Sequence, residues 1–231
     1  MTSQSPVSLA QARFNMIEQQ IRPWEVLDAR VLELLDQVHR EDFVPAAHRA
    51  LAFADMELPL AAGGSDGRVM LAPRVQARLV QDLDLKPTDK VLEIGTGSGF
   101  TTALLARLAQ RVVSLEIDAD LSAAARASLQ KAGIANADLR VADAAANGFA
   151  ACAAEAPWDA ILLGGSVAEV PSALLALLAP GGRLIAITGQ EPVMRATLVT
   201  RVGEAAFQTA QPWDTMAPRL VRFPEPSRFS F

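Results

Sequence analysis

The run Val91-Leu92-Glu93-Ile94 leads directly into Gly95-Thr96-Gly97-Ser98-Gly99, and a helical pattern begins at once after it. A short apolar strand, a glycine-rich turn and a helix open a parallel α/β unit, which constrains the rest of the chain more than any other segment. Glycines let the backbone turn sharply and let a ligand come closer than a Cβ would permit. Free amides at the start of the following helix favour electron-rich groups. Ligands of open α/β sheets bind beyond the carboxyl ends of the strands, so the loop predicts a nucleotide-like cofactor.

The loop's details narrow the choice of cofactor. A phosphate-cradling loop needs Lys-Ser/Thr after its last glycine, and here Phe100-Thr101 follows. A dinucleotide fingerprint places its third glycine one position later, where this chain has Phe100. Glu93, two residues before the first glycine, would repel a pyrophosphate but suits a cation. S-adenosylmethionine carries a sulfonium and an ammonium, so the signs fit. Glu116 ends the second strand roughly twenty residues on, where an acidic side chain can accept both ribose hydroxyls. Asp143 follows the third strand, placed for the adenine amino group. The expected cofactor set is Glu93, Ile94, Gly95, Thr96, Gly97, Ser98, Gly99, Glu116, Ile117, Asp143 and Ala144. A tight turn without a ligand is the plainer alternative, and three acidic strand ends converging on one loop weigh against it.

Before Thr88 the periodicity is helical: Phe14, Ile17 and Ile21 up to Pro23, then Val31, Leu32, Leu35 and Val38 behind an N-cap at Asp28. The loop 61–68 follows, and Pro73 opens another helix. After Thr88 strands and helices alternate. Strands are expected at Lys90–Ile94, Arg111–Glu116, Leu139–Ala142, Asp159–Leu163 and Leu184–Ile187, with helices between them. Strands this apolar predict a mostly parallel, doubly wound, Rossmann-like α/β sheet covered on both faces. Further strands are expected to close one edge at Met194–Val202, Ala205–Pro212 and Leu220–Phe223. The expected division is a helical extension over 1–87, carrying the acceptor loop, and a cofactor-binding domain over 88–231.

With 231 residues, 51% of them hydrophobic and 20% charged, the chain can bury a substantial core. A net charge of -5 argues against a broad grip on nucleic acid. The solitary Cys152 excludes an internal disulfide, and two separated histidines give no metal signature. The N-terminus lacks a secretory pattern, and the apolar run 171–187 is broken by Pro180-Gly181-Gly182-Arg183, so no membrane span is expected and the location expected is cytoplasmic.

The order Glu-x-Gly-x-Gly-x-Gly, Glu116, Asp143, Trp158-Asp159-Ala160-Ile161 and Leu178-Ala179-Pro180-Gly181-Gly182-Arg183-Leu184 resembles the class I S-adenosylmethionine-dependent methyltransferases. Upstream, Met16-Ile17-Glu18-Gln19-Gln20-Ile21-Arg22-Pro23, Arg40-Glu41-Asp42-Phe43-Val44-Pro45 and Phe53-Ala54-Asp55 ahead of Leu58-Pro59-Leu60 resemble protein-L-isoaspartate O-methyltransferases, as does Val170-Pro171. That resemblance implies carboxyl methylation of L-isoaspartyl residues in proteins or peptides, a repair reaction.

The resemblance also marks a departure. The family's loop before the Pro73-like proline typically reads Thr-Ile-Ser-Gln-Pro, with its serine beside the methyl donor and the substrate carboxylate. Here Val69-Met70-Leu71-Ala72-Pro73 stands in its place, with Leu71 at the serine position. The catalytic residue is therefore unknown from sequence, and Ser65 and Asp66 are the polar candidates beside the altered loop. A different acceptor on the same fold, an apolar small molecule or another macromolecule, or a non-catalytic module that only binds S-adenosylmethionine, stays open as an alternative.

Overall fold

The computed structural model describes residues 8–60 and 67–225. Seven strands form one sheet, and a two-residue ribbon, β1 (Leu58–Pro59) with β2 (Val69–Met70), stands apart. The sheet strands are β3 (Lys90–Ile94), β4 (Arg111–Glu116), β5 (Ala137–Val141), β6 (Trp158–Val167), β7 (Leu178–Gln190), β8 (Val193–Arg201) and β9 (Phe207–Asp214). Their spatial order is β5-β4-β3-β6-β7-β8-β9. The first five of that order are parallel, while β8 and β9 return antiparallel along one edge.

Alternation along the strands assigns the two faces. Val91, Val112, Ala160 and Ile185 join one core cluster. Leu92, Ile94, Val113, Ile161 and Leu184 join the other. The first cluster is covered by the N-terminal helices, which makes the extension part of the main core through Ile21, Leu35 and Leu79. Those helices are α1 (Leu9–Met16), which runs on through a wider turn at Ile17–Ile21, α2 (Ala29–Gln37) and α3 (Pro73–Asp82). Asp28 caps α2 by accepting from the Arg30 amide, and Pro73 occupies the first turn of α3. Helices α4 (Phe100–Leu108) and α5 (Ala119–Lys131) follow β3 and β4. Short helices α6 (Ala150–Ala153) and α7 (Ser172–Leu175) supply Cys152 and Leu174 to the second cluster. Burial pushes the Cys152 thiol up to about 12, so it is inert packing.

Leu220–Phe223 is not a strand. After β9 the chain crosses the carboxyl end of β6, held by Ser166 N–H to Pro218 O (2.8 Å) and Leu220 N–H to Ser166 O (2.9 Å). Arg222 turns left-handed at φ 63°, which ends any extended run, and Phe223 packs on Phe149 at 5.5 Å between centroids. This strap, not an added edge strand, covers the region above the glycine loop.

Candidate active site

Strand order reverses between β3 and β6, because the chain leaves β3 toward β4 and β5 and returns on the other side. A cavity of about 780 Å³ opens at that switch point. Its walls come from the ends of β3 (Ile94, Gly95), β4 (Glu116, Ile117), β5 (Asp143, Ala144) and β6 (Gly164, Gly165). Val69 and Leu71 of the altered loop form another wall, and the strap contributes Arg219, Leu220 and Phe223.

The glycine loop is held in a form that other residues would strain. Gly95, Gly97 and Gly99 have φ of 93°, 52° and 83°. A Cβ on Gly95 would lie 3.0 Å from Leu220 Cδ2, and one on Gly99 would lie 3.1 Å from the Ala125 Cβ. The first glycine thus admits the strap, and the third admits α5 against the start of α4.

Glu116 reaches into the cavity with both carboxylate oxygens anchored: Oε2 accepts from the Gly97 amide at 2.8 Å and Oε1 from the Asp118 amide at 3.1 Å. Burial raises its pKa, and the backbone donors and Arg68 oppose that shift. Asp143 accepts from the Ala145 amide through Oδ1 and from Arg222 Nη1 through Oδ2. Two oriented acceptors therefore flank the loop, each with lone-pair capacity left for a ligand.

Not every expected contact lies on the cavity wall. Glu93 points to the opposite side of β3, where it is fully buried and accepts from Thr102 Oγ1 (2.5 Å) and Ser114 Oγ (2.6 Å), both through Oε2. Its Oε1 is buried with no partner. Desolvation pushes its pKa up to about 7 against those two hydroxyls, and the Glu116 charge adds to the rise. Thr96 bonds Ser114 at 2.6 Å, and Ser98 turns its hydroxyl to the Phe100 amide. Glu93, Thr96, Ser98 and Gly99 therefore support the loop from behind instead of lining the cavity. The cause is strand alternation, which sends Glu93 to the face of Val91. Met70 and Pro73 are likewise buried beneath the altered loop, while Val69 and Leu71 line the cavity. Ser65 and Asp66 lie outside the described residues.

Several lining residues escaped the sequence reading. Gly164-Gly165 inside the apolar strand β6 carried a signal, since paired glycines in a strand often mark a close backbone approach. A Cβ on Gly164 would sit 2.5 Å from the Gly95 carbonyl oxygen. The strap residues carried none, because their place depends on how the chain leaves β9. Arg40 opens the Arg40–Pro45 motif, and nothing local in that motif marks its role. It is fully buried and donates to Ala52 O (3.0 Å), to Gln76 Oε1 and to Leu71 O (2.9 Å), which ties the altered loop to the core. Its neighbours are neutral acceptors, so burial pulls its pKa down to about 9.

The cavity fits a ligand that is cationic near the glycines and carries donors toward Glu116 and Asp143. Burial raises the pKa of Glu116 at the wall and of Glu93 behind the loop, where one buried oxygen has no partner, and positive charge in the cavity would favour the ionised form of both. Among the described residues, no helix is long and apolar enough to cross a membrane, and no group of metal-ligating side chains is assembled.

Comparison with known proteins agrees with this geometry. The family model described as protein-L-isoaspartate(D-aspartate) O-methyltransferase matches residues 11–216. A protein-L-isoaspartate O-methyltransferase of Methylorubrum populi is 38% identical over 198 residues, covering 86% of this chain and 89% of the relative. One of Myxococcus xanthus is 39% identical over 183 residues, covering 78% and 82%. In fold, the chain is similar to a Plasmodium falciparum protein of that description, solved with S-adenosyl-L-homocysteine. The TM-score is 0.73 at 21% identity, over 90% of this chain and 98% of that one. This chain belongs to the protein-L-isoaspartate(D-aspartate) O-methyltransferase family.

Proposed function

We propose that the chain transfers the methyl group of S-adenosylmethionine to the free carboxylate of L-isoaspartyl residues, repairing aged proteins and peptides in the cytoplasm. Ile94, Gly95, Gly97, Glu116, Ile117, Asp143 and Ala144 would hold the cofactor. The observation that carries this reading is the cavity at the strand switch point, flanked by the anchored carboxylates Glu116 and Asp143, in a chain of this family.

Bound there, S-adenosylmethionine supplies an electrophilic methyl on a positively charged sulfur. A carboxylate with an ordinary pKa of about 4 is already ionised at neutral pH, so the acceptor needs no general base. What remains for the protein is alignment and exclusion of water. Leu60, Val69, Leu71 and Leu220 supply an apolar enclosure for that. Arg40 fixes the backbone of the acceptor loop through the Leu71 carbonyl. Without the family's hydroxyl, orientation of the acceptor rests on shape and on the main chain.

Leu71 also favours a second reading, an apolar acceptor on the same fold, because its buried side chain lines the cavity where a hydroxyl would serve a carboxylate. One experiment separates the two. Incubation with methyl-labelled S-adenosylmethionine and an isoaspartyl peptide should give a base-labile methyl ester, and the aspartyl twin should give none. Cofactor binding without ester on the isoaspartyl peptide would exclude the first reading.

A further inference from the structure

A second concavity, of about 1010 Å³, shares two chain segments with the first. Leu71 lines the cofactor cavity and Ala72 lines the groove; Pro218 lines the cavity and Met216 lines the groove. A molecule lying in the groove therefore abuts the same two segments that wall the cofactor cavity.

The groove's lining is of a definite kind. Met56, Val193 and Met216 are 45%, 58% and 48% exposed, so large apolar side chains meet water together there, with Met194 beneath them. Unbranched thioether chains adapt to whatever lies against them and suit partners of varied sequence. The polar groups are mostly spent on each other. Arg74 pairs with Asp55 and stacks over Trp24 at 4.3 Å from the ring centroid, and Asp214 pairs with Arg195 at 3.1 Å. Glu57 is the exception. It is half-buried in the groove wall and makes no hydrogen bond or ion pair with any described residue. Burial without a partner raises its pKa, a cost that a bound cation would remove.

The geometry points to this groove as the seat of the acceptor polypeptide, an extended segment whose residues beside the isoaspartyl site are apolar or basic, with Glu57 taking the basic ones. The inference rests on the peptide-methylating reading and adds the substrate's sequence context. A repair enzyme meets damage in arbitrary surroundings, which a methionine-lined groove tolerates. Glu57, the unpaired carboxylate among the described residues of the groove, then grades those surroundings by charge.

The test uses labelled isoaspartyl peptides, identical except for Lys, Ala or Glu beside the damaged residue, bound to the full chain at saturating S-adenosyl-L-homocysteine. Fluorescence anisotropy reads affinity without turnover. The Lys peptide should bind about fivefold more tightly than the Glu peptide, the scale of a partly exposed ion pair. Glu57→Gln should erase that preference, and Met216→Asp should weaken all three peptides. Calorimetry with S-adenosyl-L-homocysteine reports that each variant is folded. A preference that survives Glu57→Gln, or affinities indifferent to Met216→Asp, would overturn the inference. So would a dimer of the wild-type chain that Met216→Asp splits, since the groove would then seat a second copy. Peptides that bind in this pattern but are never esterified would leave the groove standing and remove the methylation reading.

Discussion

Glu93 is placed to act on a bound cation through charge alone. It lies behind the loop, buried, with two hydroxyls on one oxygen and nothing on the other. Its sign, read from the sequence as a match for a cationic cofactor, still acts through space. A cation in the cavity favours the ionised carboxylate, so S-adenosylmethionine affinity should rise as pH passes upward through about 7. S-adenosyl-L-homocysteine lacks the sulfonium charge and should show a smaller rise; paired calorimetric titrations at pH 6 and pH 8 measure the difference. Stability has the opposite slope. A carboxyl whose folded pKa is raised from 4.5 to about 7 binds its proton more tightly when folded, so stability is lost as pH climbs through that window. Denaturant titrations should find that loss on the order of 3 kcal/mol and find it flattened in Glu93→Gln. Leu71 is testable at the same scale. Leu71→Ser restores a hydroxyl at the cavity wall and should raise kcat/KM on an isoaspartyl peptide by up to about tenfold, the worth of one good hydrogen bond. Its thermal midpoint should fall, because a buried leucine is lost.

At the level of elements, the parts governed by local rules were readable. β3 and β4 fall on the residues expected for them, since an apolar run bounded by a glycine turn leaves little choice. The cap at Asp28 and the opening of α3 at Pro73 follow from side-chain and ring chemistry that acts within a few residues. Leu220–Phe223 reads as a strand because three of its four residues are apolar, while the path of the strap is set by Ser166, some fifty residues away. Glu93 shows the same limit: its charge is legible in the sequence, but the face it takes depends on the pleat of β3. The strap and the paired glycines of β6 yield a prediction together. Leu220 rests on Gly95 and Gly165, and Gly164 lies against the Gly95 carbonyl. Gly164→Ala should displace that loop and lower S-adenosyl-L-homocysteine affinity at least about tenfold, since a buried close contact has to be relieved. Calorimetry checks the affinity, and far-UV circular dichroism checks that the fold persists.

For the whole molecule, one end of one sheet brings the two halves of the proposed reaction together. The ends of β4 and β5 bring Glu116 and Asp143 to one cavity, while the extension lays Val69 and Leu71 on its wall and builds the groove together with the ends of β8 and β9. The extension belongs to the same core as the sheet, and Arg40 joins them at Leu71. Chain order makes the sheet legible, but a groove built from residues 24–75 and 192–216 is a long-range event that no local pattern encodes. The proposed S-adenosylmethionine site depends on the strand-end carboxylates of this cavity. Calorimetric titration of S-adenosyl-L-homocysteine into wild type, Glu116→Gln and Asp143→Asn tests it most directly. Glu116→Gln should lose roughly ten- to a hundredfold in affinity and Asp143→Asn a smaller factor, with both variants folded. Affinities within about twofold of wild type for both would contradict it, because losing a charged hydrogen-bond acceptor to the ligand costs more than that.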